Sequence, residues 1–138
     1  MVFLPKPNSA KVFNQPQRFV AGWYWLLRSK QLKQGQVKAV FLLGKDLAVY
    51  RTNSGKVVAV DAYCPHMGAH LAEGKVEGES LRCFFHNWRF DHHGHCVEVP
   101  CLAKSLPVKV NSWPVTEAYG LIWLRTGDQP SQTLPLQP

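Results

Sequence analysis

Two short motifs hold most of the chemistry this 138-residue sequence offers: Cys64-Pro65-His66 and Cys83-Phe84-Phe85-His86. Each presents one thiol and one imidazole, as C-x-H and C-x-x-H, with sixteen residues between them. All six histidines (His66, His70, His86, His92, His93 and His95) fall in one thirty-residue stretch. Two thiolates and two imidazoles brought together suit two kinds of metal centre. A single zinc takes all four in a tetrahedron. A cluster of two irons bridged by sulfides takes both cysteines on one iron and both histidines on the other. The spacing favours the irons. Structural zinc loops keep about two or more residues between paired ligands. A one-residue gap instead lets neighbouring side chains point at two ions roughly 3 Å apart, by analogy with close dinuclear sites.

Other candidates are weaker. Asp91, His93 and His95 form a carboxylate-and-histidine set suited to a second metal, but loop-like sequence makes His70, His92, His93 and His95 surface residues on first reading. Cys96 and Cys101 read as buried thiols, since no export signal is visible and bridges are rare in a reducing compartment. The tryptophans at 23, 25, 113 and 123 read as core. Trp88 and Phe90 are expected behind the paired motifs, and Met67 at a loop tip.

These motifs need a scaffold, and the flanking sequence is that of a β protein. Short aromatic and β-branched runs at Gly22–Arg28, Val37–Leu43, Leu47–Arg51, Val57–Asp61, Pro107–Val110 and Val115–Leu124 are separated by turns at Gly44-Lys45-Asp46, Asn53-Ser54-Gly55 and Tyr119-Gly120. No stretch keeps a helical period over ten residues. The pattern predicts an all-β antiparallel sandwich or barrel. Residues 62–104 interrupt it as a small inserted subdomain, on short strands at Gly74–Val76, Ser80–Arg82 and Trp88–Asp91. Residues 1–18 read as an N-terminal arm, 19–126 as the folded domain, and 127–138 as a tail or linker.

Composition is that of one globular domain: 46% hydrophobic, 18% charged, net charge +7. The charge is uneven. Residues 1–60 hold ten Lys or Arg and one acid; residues 61–138 hold six against eight acids. The basic half lacks an Arg-rich helix, an RNA-binding signature or zinc-finger spacing, so no nucleic-acid partner is expected. No apolar run approaches the roughly 20 residues of a membrane span, so no membrane anchor and a cytoplasmic location are expected.

The segments Tyr63-Cys64-Pro65-His66-Met67-Gly68-Ala69-His70-Leu71 and Cys83-Phe84-Phe85-His86-Asn87-Trp88-Arg89-Phe90-Asp91 resemble the two cluster loops of Rieske [2Fe–2S] proteins. They are most similar to the N-terminal Rieske domain of non-haem iron, ring-hydroxylating oxygenases. Gly22-Trp23-Tyr24, Gly94 with Cys96-Val97-Glu98-Val99-Pro100, and Tyr119-Gly120-Leu121-Ile122-Trp123 agree in order. The resemblance spans about residues 20–126. It implies the Rieske (ISP-like) fold, a [2Fe–2S] cofactor, Cys64 and Cys83 on the inner iron, and His66 and His86 on the outer iron.

Departures from the family are informative. Quinol-oxidising members bridge their loops with a disulfide; the matching positions here are Ala69 and Phe85. Their hydroxyl side chains near the cluster are replaced by Trp88 and Phe90, and the usual glycine after the second histidine by Asn87, a residue that tolerates left-handed backbone. With two thiolates cancelling the +2 core, reduction takes the site from neutral to −1, which raises the potential into the Rieske range of roughly −150 to +300 mV. Without hydroxyl donors the expected value lies in the lower half, and voltammetry above about +150 mV at neutral pH is the contrary result.

The resemblance implies a one-electron carrier in an oxygenase-type system, with a reductase or ferredoxin as donor and an oxygenase as acceptor. The sequence accommodates a soluble ferredoxin-like protein, with no complete catalytic site of its own. The alternative is the Rieske domain of a longer oxygenase α subunit with a fused catalytic domain. A zinc-binding structural module is the third reading.

Overall fold

Strands form here where alternate residues can be buried on a shared core, and the arrangement follows from which runs are apolar on one face and which on both. The computed structural model describes residues 22–100, 102 and 106–126. The arm expected at 1–18, the tail at 127–138 and Cys101 lie outside the described residues. The fold is nearly all-β, with strands β1 (Gly22–Arg28), β2 (Val37–Leu42), β3 (Lys45–Arg51), β4 (Val57–Asp61), β5 (Lys75–Glu77), β6 (Ser80–Arg82), β7 (Arg89–Phe90), β8 (Cys96–Glu98), β9 (Ser112–Trp113), β10 (Val115–Ala118) and β11 (Leu121–Thr126). Single 3-10 turns occupy Ser29–Gln31 and Leu71–Glu73. Among the described residues no helix is long and apolar enough to cross a membrane.

The strands form three antiparallel sheets, ordered β1-β11-β10, β2-β3-β4-β9 and β5-β6-β7-β8. The middle sheet is shared between two cores. In β3, Leu47 and Val49 face a core with Leu26, Leu27, Leu32, Ile122 and Leu124. Ala48 and Tyr50 face the other, with Leu71, Val76, Leu81, Phe90 and Val110. The alternation is continued in β4, where Ala59 turns to the first core and Val58 and Val60 to the second. A strand buried on both faces reads as an unbroken hydrophobic run, which is why Leu47–Tyr50 carries no charged residue. Arg51 ties the layers further: its guanidinium donates to both Glu117 carboxylate oxygens at 2.9 and 2.8 Å, linking β3 to β10.

Several expectations shift. The β2–β3 turn is Leu43-Gly44, both left-handed, and Lys45-Asp46 belong to the strand. Tyr119-Gly120 is a second such turn, at the expected place, and it joins β10 and β11 as a hairpin. Pro107–Val110 forms no strand; it makes a single antiparallel bridge, Lys109 to His95, closed by Val110 N–H on the Gly94 carbonyl at 2.8 Å and Cys96 N–H on the Val108 carbonyl at 3.0 Å. Trp25 is 52% exposed and not core. A bulge between Trp25 and Leu27 breaks the alternation of β1, so that Leu26 and Leu27 both turn inward.

Candidate functional site

The two motifs lie on loops that grow out of different sheets. The first leaves β4, and an isolated bridge between Tyr63 and His70 closes it. The second joins β6 to β7, whose pairing of Leu81 with Phe90 and Arg82 with Arg89 forms its base. The loops share one backbone plan. Cys64 N–H donates to the Ala69 carbonyl at 2.8 Å, and Cys83 N–H to the Trp88 carbonyl at 2.7 Å, five residues on in each case. Gly68 N–H returns to Cys64 O at 2.8 Å, and Asn87 N–H to Cys83 O at 3.0 Å. Both returning residues are left-handed, at φ 76° and 62°, so Asn87 takes the glycine conformation as its residue type allows.

This plan points each cysteine inward. Cys64 and Cys83 are 3% and 2% exposed and are walled by Leu71, Leu81 and Phe90 of the second core. The thiols face one another. Burial pushes the Cys64 thiol up to about 11; hydrogen bonds from the backbone N–H groups of His66 and Met67 oppose that rise, and the neighbouring Cys83 adds to it. The histidines lie on the outer side. The His66 and His86 rings approach to 4.7 Å between centroids at 55°, with His66 half-buried and His86 exposed. Phe85 stacks on His86, and Met67, Phe84 and Phe85 on the same loops are 61%, 53% and 48% exposed. The two cysteines therefore make an inner pair and the two histidines an outer pair.

That donor set fits a dinuclear cluster better than one ion. A tetrahedral zinc site requires all four donors to converge on a single ion position. Two ligands on each of two irons need no such convergence. In the second candidate set, Asp91, His93 and His95, the carboxylate already has partners. Asp91 Oδ1 accepts from the backbone N–H groups of His93 and His95, both at 2.9 Å, and so caps its own turn. His70 is also no free surface residue: its Nδ1 accepts from Ala72 N–H at 3.1 Å and its ring meets Tyr63 edge-on.

A Rieske [2Fe–2S] domain model matches residues 22–114. The chain belongs to the Rieske [2Fe–2S] domain family. A [2Fe–2S] cluster is thus the cofactor of this Rieske domain. The chain is 44% identical over 126 residues to a cholesterol 7-desaturase of Ciona intestinalis, covering 87% of this chain and 27% of the relative. It is 36% identical over 110 residues to a probable 3-ketosteroid-9-alpha-monooxygenase oxygenase component of Rhodococcus rhodochrous, covering 79% and 28%. Dicamba monooxygenase bound to dicamba shares the Rieske domain fold at TM-score 0.73 and 34% identity, over 83% of this chain and 34% of that one. The chain spans about a quarter to a third of the length of the curated relatives it matches.

Two features of the Rieske site escaped the sequence reading. Arg82 braces the second loop: it donates to the Asn87 carbonyl at 2.6 Å, to both Glu77 oxygens at 2.8 and 3.0 Å, and to Glu98 at 3.1 Å. Arg89 completes the frame, reaching Glu98 at 2.9 Å and Ser80 at 2.9 Å. Only cross-strand pairing puts these charges side by side. The other is Trp88, which lies flat against His66, with centroids 4.2 Å apart and planes 4° apart. Phe90, 1% exposed, packs in the core that holds the thiols, and Trp88 packs against the same core.

Proposed function

We propose that Cys64 and Cys83 hold the inner iron and His66 and His86 the outer iron, and that the domain passes single electrons to a mononuclear non-haem iron centre of an oxygenase-type enzyme. The observation that carries this is that the two loops bring their imidazoles together on the outer side while their two thiols are closed off from water. When bound, the cluster takes up and gives up one electron at a time. The residues of the chain set the conditions. The apolar wall of Leu71, Leu81 and Phe90 keeps water from the sulfurs. Backbone N–H groups of His66 and Met67 donate to the Cys64 sulfur and stabilise its thiolate, which favours the reduced state. His66 and His86 offer their remaining ring N–H groups at the surface, where an acceptor can hydrogen-bond them.

The names of the relatives support an oxygenase or desaturase as the acceptor and a steroid as the substrate of that acceptor centre. The acceptor iron is assigned to a catalytic domain fused to this one or carried by a partner subunit, and the donor is a reductase or ferredoxin. Anaerobic reduction with paramagnetic resonance and metal analysis tests the site. The expected result is a reddish-brown protein with two irons and two sulfides per chain and a resonance signal on one-electron reduction. A colourless protein with one zinc per chain overturns the proposal.

A further inference from the structure

We propose that Trp88 is a positioning residue that fixes the ring plane of His66 from the opposite loop; this rests on the reading of His66 as an iron ligand. The two histidines are not held alike. Phe85 stacks on His86 at 4.1 Å and 18°, but the two are chain neighbours and Phe85 is 48% exposed. That partner moves with its own loop. Trp88 is 22 residues from His66 in sequence and reaches it across the gap between the loops, nearly parallel at 4°.

The indole is itself fixed at both ends. Its backbone carbonyl accepts from Cys83 N–H at 2.7 Å and so closes the second loop. Its side chain packs against the core that contains Cys64, Cys83 and Phe90. An imidazole tethered at Cβ and bound through one nitrogen retains rotation about the axis joining them. A broad flat ring over one face makes that rotation costly, because turning loses the face-to-face contact and drives the ring edge into the indole. The ring of His86, 4.7 Å away and tilted by 55°, bounds the movement of His66 from another direction. One residue thus closes its own loop and orients the ligand of the other, so the outer pair is set by contact between loops.

The test compares Trp88→Phe and Trp88→Leu in the cluster-loaded protein, reading iron content, thermal midpoint and the two ligand-nitrogen hyperfine couplings by pulsed paramagnetic resonance. In Trp88→Leu one of the two nitrogen couplings spreads or shifts while the other keeps its parent value. Trp88→Phe, which restores a flat ring, returns the parent pattern. A purely packing role lowers the thermal midpoint and leaves both couplings unchanged, and that result overturns the proposal. So does an equal change at both nitrogens, or a Trp88→Phe pattern as altered as that of Trp88→Leu. If Trp88→Leu fails to keep two irons, Trp88→Met is read by the same criteria. A parent protein without nitrogen couplings defeats the ligand assignment itself, before any variant is made.

Discussion

Each of the four proposed ligands sits where its chemistry is useful: thiols inside, imidazoles outside. Replacing His86 with cysteine exchanges a neutral ligand for an anionic one, so reduction would start from −1 instead of neutral. The expected outcome is a potential lower by on the order of 100–200 mV, part of the way towards four-cysteine clusters, or loss of the cluster. An intact cluster with an unchanged potential shows that His86 is not a ligand. Asn87 carries a second residue-scale prediction. At φ 62° an alanine is strained by about 1 kcal/mol, so Asn87→Ala lowers stability by that amount in thermal unfolding. Asn87→Gly has no such cost, and equal losses in both would show that the left-handed backbone is not the cause.

At the scale of elements, β6, β7 and β8 are joined by charge as well as by backbone. Arg82 holds the Glu77 carboxyl below the usual carboxylate range, and Arg89, followed by Arg82, does the same for Glu98. Both groups lose protons more readily in the folded state than in the unfolded one. Their stabilisation is therefore complete above the unfolded carboxylate value of about 4.3 and is lost as pH falls through the lower folded values. The second loop should stay intact from neutral pH down to about 5 and loosen below about 4. Thermal midpoints measured across that range check this, and Arg82→Met should flatten the acid limb. A parent protein with no acid limb contradicts it. The same strands show why sequence periodicity read some elements poorly. β8 and β9, which the pattern did not predict, have three and two residues, too few to show a sustained period of two, and the bulge in β1 turns Leu26 and Leu27 to the same side. A bulge is defined by the partner strand, which lies about a hundred residues away in β11.

Across the whole molecule, the middle sheet carries a core on each face, and the second core is also the floor of the candidate metal site. Tyr50 stands at that seam, fully buried, and its hydroxyl meets no hydrogen-bond partner among the described residues. Burial, with Asp91 and Glu79 nearby, raises its ionisation well above the usual tyrosine range, so it remains a neutral phenol. A buried polar group without a partner is costly. Tyr50→Phe should therefore raise stability by about 1 kcal/mol in denaturant unfolding, and a loss of that size would mean the hydroxyl is bonded.

The candidate site was legible in the sequence because its proposed ligands are local: two short motifs, each within four residues, fix the donor types and their order before any folding is considered. The all-β class was legible for the same reason, since alternation and turn residues act over a few positions. Sheet order, the sharing of one sheet by two cores, the Arg82 and Arg89 frame and the Trp88 stack on His66 were not. They depend on residues far apart in the chain meeting at particular angles, and such angles arise from strand pairing and bulges that no single segment encodes. The donor atoms were thus set by sequence, while tertiary structure alone placed the thiols inside, the imidazoles outside, and an indole against one of them.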